Sequence, residues 1–228
     1  TGAVDQIWAY RVPSWMGASV AVIGTAALGA LLFNPLTGAL AGVVLASTLL
    51  LGVEARLAKT DAALLACIVL AQGILARLWM GAGLFRRMDL AFWGALGVGM
   101  LIKGPIAPLV VGLTALPLVV IRRSAVWLKP LGTKEGVALA CAIVLPWLLV
   151  ITLRTHGAFW VESVGQDLLA KAASGQEGHG APPGYYLVTF FLTFWPWGLF
   201  VLPAALVAWR QREQAAVQFL VAWIVPTW

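Results

Sequence analysis

Four charged residues stand close together in a chain that otherwise carries few charges. Glu54, Arg56, Lys59 and Asp61 form one short cluster, whereas only 11% of the 228 residues are charged and 61% are hydrophobic. Two carboxylates beside two cations could bind an anionic headgroup or accept and donate a proton. If this segment stays helical, Glu54 and Asp61 share a face, since they are seven residues apart. The alternative is a solvated turn, in which Thr60 caps the next helix and Asp61 suits its positive end.

Lys103 is a second candidate, because it stands at a Lys-Gly-Pro sequence between two apolar runs. The runs 90–102 and 105–121 would rise about 20 and 25 Å as helices, and each is short for a hydrocarbon core about 30 Å thick. Lys103 could therefore face a cavity at some depth, where an ammonium group suits a phosphate. The alternative is a lysine that extends to the membrane surface from a helix end.

A third candidate is His179, in the segment 174–184, which is rich in glycine and proline and cannot be a helix. Such a loop is either mobile or functional, and its histidine could ligate a metal or donate a proton. Glu54 and His179 are weak metal candidates, and a solvated loop histidine is the alternative. The sequence does not require a divalent metal, so the cofactor stays unknown. Tyr185 and Tyr186 open the next apolar run, as aromatic residues at a membrane interface do.

Membrane helices must position these residues. The mean hydropathy is +0.93, and the apolar runs approach the roughly 20 residues of a membrane crossing. Alternation with a period of two is absent, so only helices satisfy the backbone in lipid. We therefore predict an all-α, polytopic transmembrane bundle of about seven to eight spans, forming one domain over residues 1–228. The predicted spans are 14–33, 36–53, 61–79, 89–102, 105–121, 136–153, 185–209 and 215–228. Cys67 and Cys141 fall within spans and are predicted to be small buried residues without a disulfide.

The basic residues predict the orientation of the bundle. Residues 89–121 could be one long span, but two crossings broken at Lys103-Gly104-Pro105 put the flanking arginine pairs on the same face. Nine of the 15 basic residues then share that face, which is cytoplasmic by the positive-inside rule. They are Arg77, Arg86, Arg87, Arg122, Arg123, Lys129, Lys134, Arg210 and Arg212. The same distribution accounts for the basic pI without nucleic acid as a partner. The candidate residues and the polar loop 154–184, with an interfacial helix predicted at 158–172, lie outside.

The order of several short motifs resembles one enzyme family. The motifs are Trp8-Ala-Tyr-Arg-Val-Pro-Ser14, Glu54-x-Arg56, Asp61, Lys103-Gly-Pro105, Pro146-Trp147, His179 ahead of Pro-Pro-x-Tyr185-Tyr186, and Trp195-Pro196-Trp197. This series is similar to the polyprenyl-phosphate-sugar-dependent glycosyltransferases of the aminoarabinose-transferase and protein O-mannosyltransferase type, which have the C-type membrane fold. The resemblance implies transfer of a sugar from a polyprenyl-phosphate carrier to a lipid, glycan or protein acceptor. It also implies a location in the bacterial inner membrane, with the active face toward the periplasm.

The resemblance implies roles for individual residues. Asp61 and Glu54 match the acids of the site and are the candidate catalytic residues, and Arg56 and Lys103 are candidates for binding the donor phosphate. His179, Tyr185 and Tyr186 match a loop that contacts donor or acceptor, and we expect residues 174–184 to act as a lid.

The chain also departs from the family pattern. Gly184 replaces a tryptophan and Gly198 a serine. The Asp-Glu loop that carries the family's catalytic carboxylate lies upstream of the Arg-x-Pro-Ser motif. We therefore expect this chain to be a piece of a larger protein that continues at both ends, and the piece to be inactive alone.

Two other functions compete with sugar transfer. A transporter or flippase would also place charges at broken helices, but here the charges gather at one face and no inverted repeat is evident. A structural membrane subunit would leave the outer acid–base cluster unexplained. A nucleotide-sugar donor is disfavoured, because the sequence has no Asp-x-Asp pair or phosphate loop.

Overall fold

The computed structural model describes residues 7–85, 87–160 and 185–227. These residues form helices joined by turns and contain no strand, which confirms the all-α prediction. Two short 3-10 helices, Val126–Leu131 and Trp197–Phe200, join longer elements. The α-helices are α1 Ile7–Leu32, α2 Pro35–Ala46, α3 Leu49–Glu54, α4 Asp61–Trp79, α5 Met88–Lys103, α6 Ile106–Arg122, α7 Lys134–Arg154, α8 Ala158–Trp160, α9 Tyr185–Thr193, α10 Val201–Arg210 and α11 Ala215–Thr227. By length and composition, three described segments could each cross a membrane alone: Trp8–Leu32, Asp61–Trp79 and Lys134–Arg154.

Helix α4 lies at the centre of the bundle. It contacts α1, α5 and α6 along its length and also reaches α11. Leu75, Ala76 and Trp79 are almost completely buried there, and they join Leu118 of α6 and Phe219 of α11 in one core. A helix that is apolar on all sides is expected to be enclosed by others. The helices packed around α4 therefore also fix the position of Asp61, its first residue.

Small residues allow α1 to approach its neighbours closely. A Cβ atom on Gly17 would lie 2.6 Å from the Cα atom of Ala63 on α4. Further along α1, Gly29 and Gly38 meet in the same way, since a Cβ on Gly29 would lie 2.9 Å from the Cα of Gly38 on α2. Membrane helices associate through such small residues because close backbone approach gives the van der Waals contact.

Side-chain contacts separate the two ends of the bundle. At one end, which we call the basic end, the Arg122 guanidinium stacks over the Trp79 ring at 4.1 Å, and Trp79 Nε1 donates to the Ala215 carbonyl at 2.7 Å. At the other end, the site end, Ser14 donates to the Lys59 carbonyl and Lys103 pairs with Asp61. Because α5 and α6 reverse direction at Gly104-Pro105, Arg87 before α5 and Arg122-Arg123 at the end of α6 belong to the basic end, as two crossings require.

The orientation can be measured by cysteine labelling of the full-length protein, with Cys67 and Cys141 replaced by alanine. A cysteine at Ala58, in the exposed turn of the site end, should react with an impermeant maleimide from outside the cell. A cysteine at Ala125, at the basic end, should react only after the membrane is opened, because basic loops stay in the cytoplasm. The reverse pattern would contradict the assigned orientation.

Two predicted spans are interrupted in the structure. Residues 36–53 break after Ala46, because the Ser47 and Thr48 hydroxyls bond back to the carbonyls of the preceding turn. The Leu49 N–H then bonds to the Trp195 carbonyl at 3.2 Å instead of continuing the helix. Residues 185–209 break after Thr193, since Pro196 has no N–H to donate.

Other expectations are corrected at single residues. Helix α1 begins at Ile7 rather than at residue 14, because Pro13 is accommodated inside the helix. Cys67 is buried as predicted, but Cys141 is exposed on α7, which packs against α5 with one side only. Both cysteines are free. Of the predicted interfacial helix, the described part is α8, and residues 161–172 lie outside the described residues.

A buried hydrogen bond joins α4 to α6. The Gln72 side chain donates to the Thr114 hydroxyl at 2.7 Å, and Thr114 donates to the Val110 carbonyl at 2.9 Å. Both residues are fully buried, and Gln72 Oε1 has no partner. In apolar surroundings, an amide that loses its only partner costs more than the bond contributes.

Thr114→Val should therefore lower the free energy of unfolding of the full-length protein by roughly 0.6–1.7 kcal/mol, the range for hydrogen bonds between membrane helices. Adding Gln72→Leu should recover most of the loss, because no unpaired amide remains. Reversible unfolding in mixed micelles measures both effects. If the double variant is as unstable as the sum of the single variants, the hydrogen bond does not couple α4 to α6.

Candidate active site

The charged cluster forms a turn between two helices. Of the two alternatives for residues 54–61, a continued helix or a turn, the structure shows the turn, because α3 ends at Glu54 and α4 begins at Asp61. The Arg56 and Leu57 amides bond three residues back, to Val53 and Glu54, so the backbone tightens and then leaves the helix. Thr60 occupies the N-cap position of α4, but its side chain makes no capping hydrogen bond.

Two contacts fix this turn. The Lys59 ammonium lies 3.5 Å from a Glu54 carboxylate oxygen, which closes the turn on itself. The Ser14 hydroxyl, which is buried, donates to the Lys59 carbonyl and so ties the turn to α1. Gly17 lies one helical turn further along α1, where it contacts the start of α4. The sequence reasoning missed Ser14, although Ser14 ends the first of the motifs that carry the family resemblance.

Asp61 and Lys103 meet at the site end, although they belong to different helices. The Lys103 ammonium contacts Asp61 Oδ1 directly, as an ion pair and a hydrogen bond. The sequence predicts that Glu54, Arg56, Asp61 and Lys103 gather at one outer site, and the structure brings Asp61 and Lys103 into contact. Both side chains are roughly 40% exposed, so water screens the pair and its contribution to stability is small. The pair is therefore open to exchange partners with a ligand.

The backbone around Lys103 explains its accessibility. Helix α5 ends at Lys103, and Gly104 follows with φ 61°, a conformation that costs a glycine little. The Gly104 N–H bonds to the Met100 carbonyl, and Pro105 starts the turn into α6. Lys103 thus stands on the last turn of a helix, where a cation also suits the negative end of the helix dipole.

An apolar cavity adjoins the two carboxylates. It has a volume of about 290 Å³ and lies where α3, the start of α4 and the end of α9 meet. Glu54 and Asp61 line it, and Glu54 Oε2 is buried there without a hydrogen-bond partner. The other lining residues are Leu45, Thr48, Leu50, Leu51, Ala62, Leu65, Phe190, Thr193 and Phe194. Sequence reasoning did not identify the α9 residues, whose apolar character is no different from that of any other span.

The remaining predicted site residues stand apart or are not described. Arg56 is exposed, does not line the cavity, and makes no ion pair in the described part of the chain. Tyr185 and Tyr186 form the first turn of α9, the helix whose far end lines the cavity. His179 and the rest of the predicted lid lie outside the described residues.

The structure covers only part of the predicted metal site, because His179 lies outside the described residues. Residues 7–85, 87–160 and 185–227 contain no group of three His, Cys, Asp or Glu side chains that could hold a metal ion. One Glu54 oxygen pairs with Lys59, and the other faces a cavity in which Asp61 is the one other carboxylate among the described residues. A metal held by Glu54 and His179 remains a prediction.

The site end can perform a defined chemistry. Lys103 has three N–H donors, and Asp61 occupies one of them, which leaves donors for a phosphate oxygen. The neighbouring cavity is apolar enough for a lipid chain or the apolar face of a sugar. The unpaired Glu54 oxygen can accept a hydrogen bond from a hydroxyl or amino group of a ligand.

The fold and this cluster together define a polytopic helical membrane protein with its charged site at one end. A solved structure has the same fold, namely ArnT from Cupriavidus metallidurans in the apo state. The TM-score is 0.73 over 94% of this chain and 39% of that chain, at 17% sequence identity. The likeness confirms the predicted membrane glycosyltransferase fold.

The sequence places the chain in a family. Residues 3–150, more than half of the chain, match the family model described as dolichyl-phosphate-mannose-protein mannosyltransferase, and the chain belongs to this family. The chain is 35% identical over 147 residues to the undecaprenyl phosphate-alpha-4-amino-4-deoxy-L-arabinose arabinosyl transferase of Pseudomonas aeruginosa LESB58, covering 61% of this chain and 26% of that protein. The enzyme of the same name from Yersinia enterocolitica is 35% identical over 139 residues, or 58% and 24% of the two chains. The chain thus spans about a quarter of the length of these curated relatives.

Proposed function

We propose that the protein containing this chain transfers a sugar from a polyprenyl-phosphate carrier to an acceptor at the outer face of the membrane. The contact between Asp61 and Lys103, beside an apolar cavity at the site end, is the observation that carries the proposal. Membership of a mannosyltransferase family and similarity to arabinosyl transferases that use an undecaprenyl-phosphate sugar support it.

Lys103 binds the phosphate of the donor. Its ammonium contacts Asp61, which lines the cavity, and Asp61 holds it in position until the phosphate arrives. As the bond between the anomeric carbon and the phosphate oxygen breaks, negative charge collects on the phosphate. A positioned cation stabilises that charge more in the transition state than in the bound donor.

The acceptor hydroxyl attacks the anomeric carbon from the side opposite the phosphate. A new carbon–oxygen bond forms, the polyprenyl phosphate leaves, and the hydroxyl proton passes to a carboxylate that acts as the general base. The family resemblance assigns that base to an Asp-Glu loop that precedes the Arg-x-Pro-Ser motif. Glu54 faces the cavity with a free oxygen and orients a hydroxyl or amino group there, and Arg56 supplies a second cation once the donor is bound.

A flippase remains the rival function, because it would bind the same lipid-linked sugar. A flippase moves the donor across the membrane and leaves its glycosidic bond intact. The location of the charges separates the two functions, since a transport site is expected near the membrane midplane. Asp61 and Lys103 instead stand at helix ends on one side of the bundle.

Reconstituted full-length protein tests the proposal. Proteoliposomes receive a polyprenyl phosphate that carries a radiolabelled sugar, and the label is followed by thin-layer chromatography into acceptor lipid. Release of free polyprenyl phosphate together with labelled acceptor is the expected result. A labelled nucleotide sugar should give no transfer. Movement of intact donor between leaflets without cleavage would favour the flippase and overturn the proposal.

A further inference from the structure

A second cavity lies at the basic end, far from Asp61 and Lys103. It is a lateral groove of about 330 Å³ between α6 and α11. Its walls are mostly apolar, with Pro117 and Ile121 on one side and Val221 and Val225 on the other. Val221 and Val225 are 44% and 67% exposed, so the groove is open along its length in the described structure.

The mouth of this groove is polar and positively charged. Arg212 and Gln218 line it where α11 begins, just after the turn from α10. The Arg212 guanidinium donates to the Trp209 carbonyl at 3.1 Å and lies 5.3 Å from the Trp209 ring. These contacts hold the guanidinium in place and leave most of its five N–H donors available.

The basic end also carries uncompensated positive charge. Both ion pairs recorded among the described residues, Glu54–Lys59 and Asp61–Lys103, belong to the site end. Arg123, Lys129 and Arg210 are exposed and have no carboxylate partner in the described structure. Glu213 is the neighbouring acid, but it neither pairs with Arg212 nor lines the groove.

We propose that this groove binds an anionic glycerophospholipid of the bilayer, with one acyl chain between α6 and α11 and the phosphate on Arg212. The apolar walls match an acyl chain, and the charge at the mouth is complementary to a headgroup of net negative charge. Basic pockets between membrane helices on the cytoplasmic side recognise such headgroups. Trp209 stands beside the mouth and is exposed, and exposed tryptophans are typical of the membrane interface.

Native mass spectrometry of the full-length protein tests this site. The purified protein is titrated with palmitoyl-oleoyl phosphatidylglycerol and, in parallel, with the corresponding phosphatidylcholine. The wild type should retain one phosphatidylglycerol in preference to phosphatidylcholine. Arg212→Gln should weaken that binding about fivefold, since one arginine near an anionic surface contributes about 1 kcal/mol. Glu213→Gln neutralises the adjacent residue and is the matched control; it should bind phosphatidylglycerol at least as well as the wild type.

A groove-filling variant makes the test independent of charge. Val221→Trp should remove the retained phosphatidylglycerol while leaving Arg212 in place, and gel filtration checks that this variant is folded. Equal binding by wild type, Arg212→Gln and Val221→Trp would overturn the proposal, as would equal affinity for the two lipids. A cysteine at Val221 that a lipid-soluble maleimide cannot reach even after the protein is stripped of lipid would show that another segment of the longer protein covers the groove, and would also overturn the proposal. None of these measurements depends on sugar transfer.

Discussion

Asp61→Asn in the full-length protein should reduce sugar transfer by about ten- to a hundredfold while the protein remains folded. The substitution keeps the size of the side chain but removes the charge that holds the Lys103 ammonium at the end of α5. A charge-assisted hydrogen bond contributes roughly 1.5–3 kcal/mol, which corresponds to that factor in rate. The loss should appear in the rate at saturating acceptor, measured with a radiolabelled polyprenyl-phosphate sugar.

The same reasoning predicts an equal loss for Lys103→Gln, and little further loss when the two substitutions are combined, because they remove one interaction. Glu135→Gln and Arg123→Gln are the matched controls, since each neutralises one exposed residue at the basic end. Both should transfer sugar at the wild-type rate. If Asp61→Asn and Lys103→Gln both transfer sugar at the wild-type rate, the proposed site is wrong, and a flippase becomes the favoured function.

Gly17→Ala should destabilise the full-length protein and disturb the site together. The added Cβ would lie 2.6 Å from backbone atoms of Ala63, which cannot move aside as the end of a side chain could. Overpacking of this kind costs about 1–3 kcal/mol of unfolding free energy. Because Ser14 and Gly17 stand on the same side of α1, the shift should also loosen the Ser14–Lys59 hydrogen bond and lower transfer.

Gly73→Ala is the matched control for this prediction. A Cβ on Gly73 would meet nothing within 4 Å, and Gly73 also lies inside a helix, so both substitutions gain the same helix propensity. Reversible unfolding in mixed micelles compares the two variants. If Gly17→Ala is as stable as Gly73→Ala, then α1 and α4 do not pack as closely as described.

The sequence was sufficient to predict the helical class, and six of the eight predicted spans correspond to single helices, because apolar length and the scarcity of charge are strong signals in membrane proteins. The break at Lys103-Gly104-Pro105 followed from local chemistry, since proline and glycine end helices. The break after Ala46 could not be predicted with the same means. The Ser47 and Thr48 hydroxyls bond back to nearby carbonyls, as they also can in continuous helices, and the break is completed by a hydrogen bond from Leu49 to the distant Trp195, which only the folded chain brings together.

The candidate site, too, was predicted only in part from the sequence. Asp61 and Lys103 could be assigned to the same end of the bundle from the sequence, because Asp61 begins a predicted span and Lys103 follows the end of another at the same face. The sequence left a helix and a turn open for residues 54–61, since the Ser14 hydrogen bond that ties the turn to α1 cannot be read from local periodicity. The role of Ser14 was hidden because a single serine in an apolar run carries no signal until its partner, the Lys59 carbonyl, is located.

Binding of undecaprenyl phosphate, which is the product of the donor half-reaction, tests the central claim most directly. The dissociation constant for full-length protein in nanodiscs can be compared between wild type, Lys103→Gln and Arg123→Gln. If Lys103 holds the carrier phosphate, Lys103→Gln should weaken binding about ten- to a hundredfold, whereas Arg123→Gln, at the basic end, should bind like the wild type. Equal dissociation constants for wild type and Lys103→Gln would contradict a carrier-phosphate site at the Asp61–Lys103 end of the bundle.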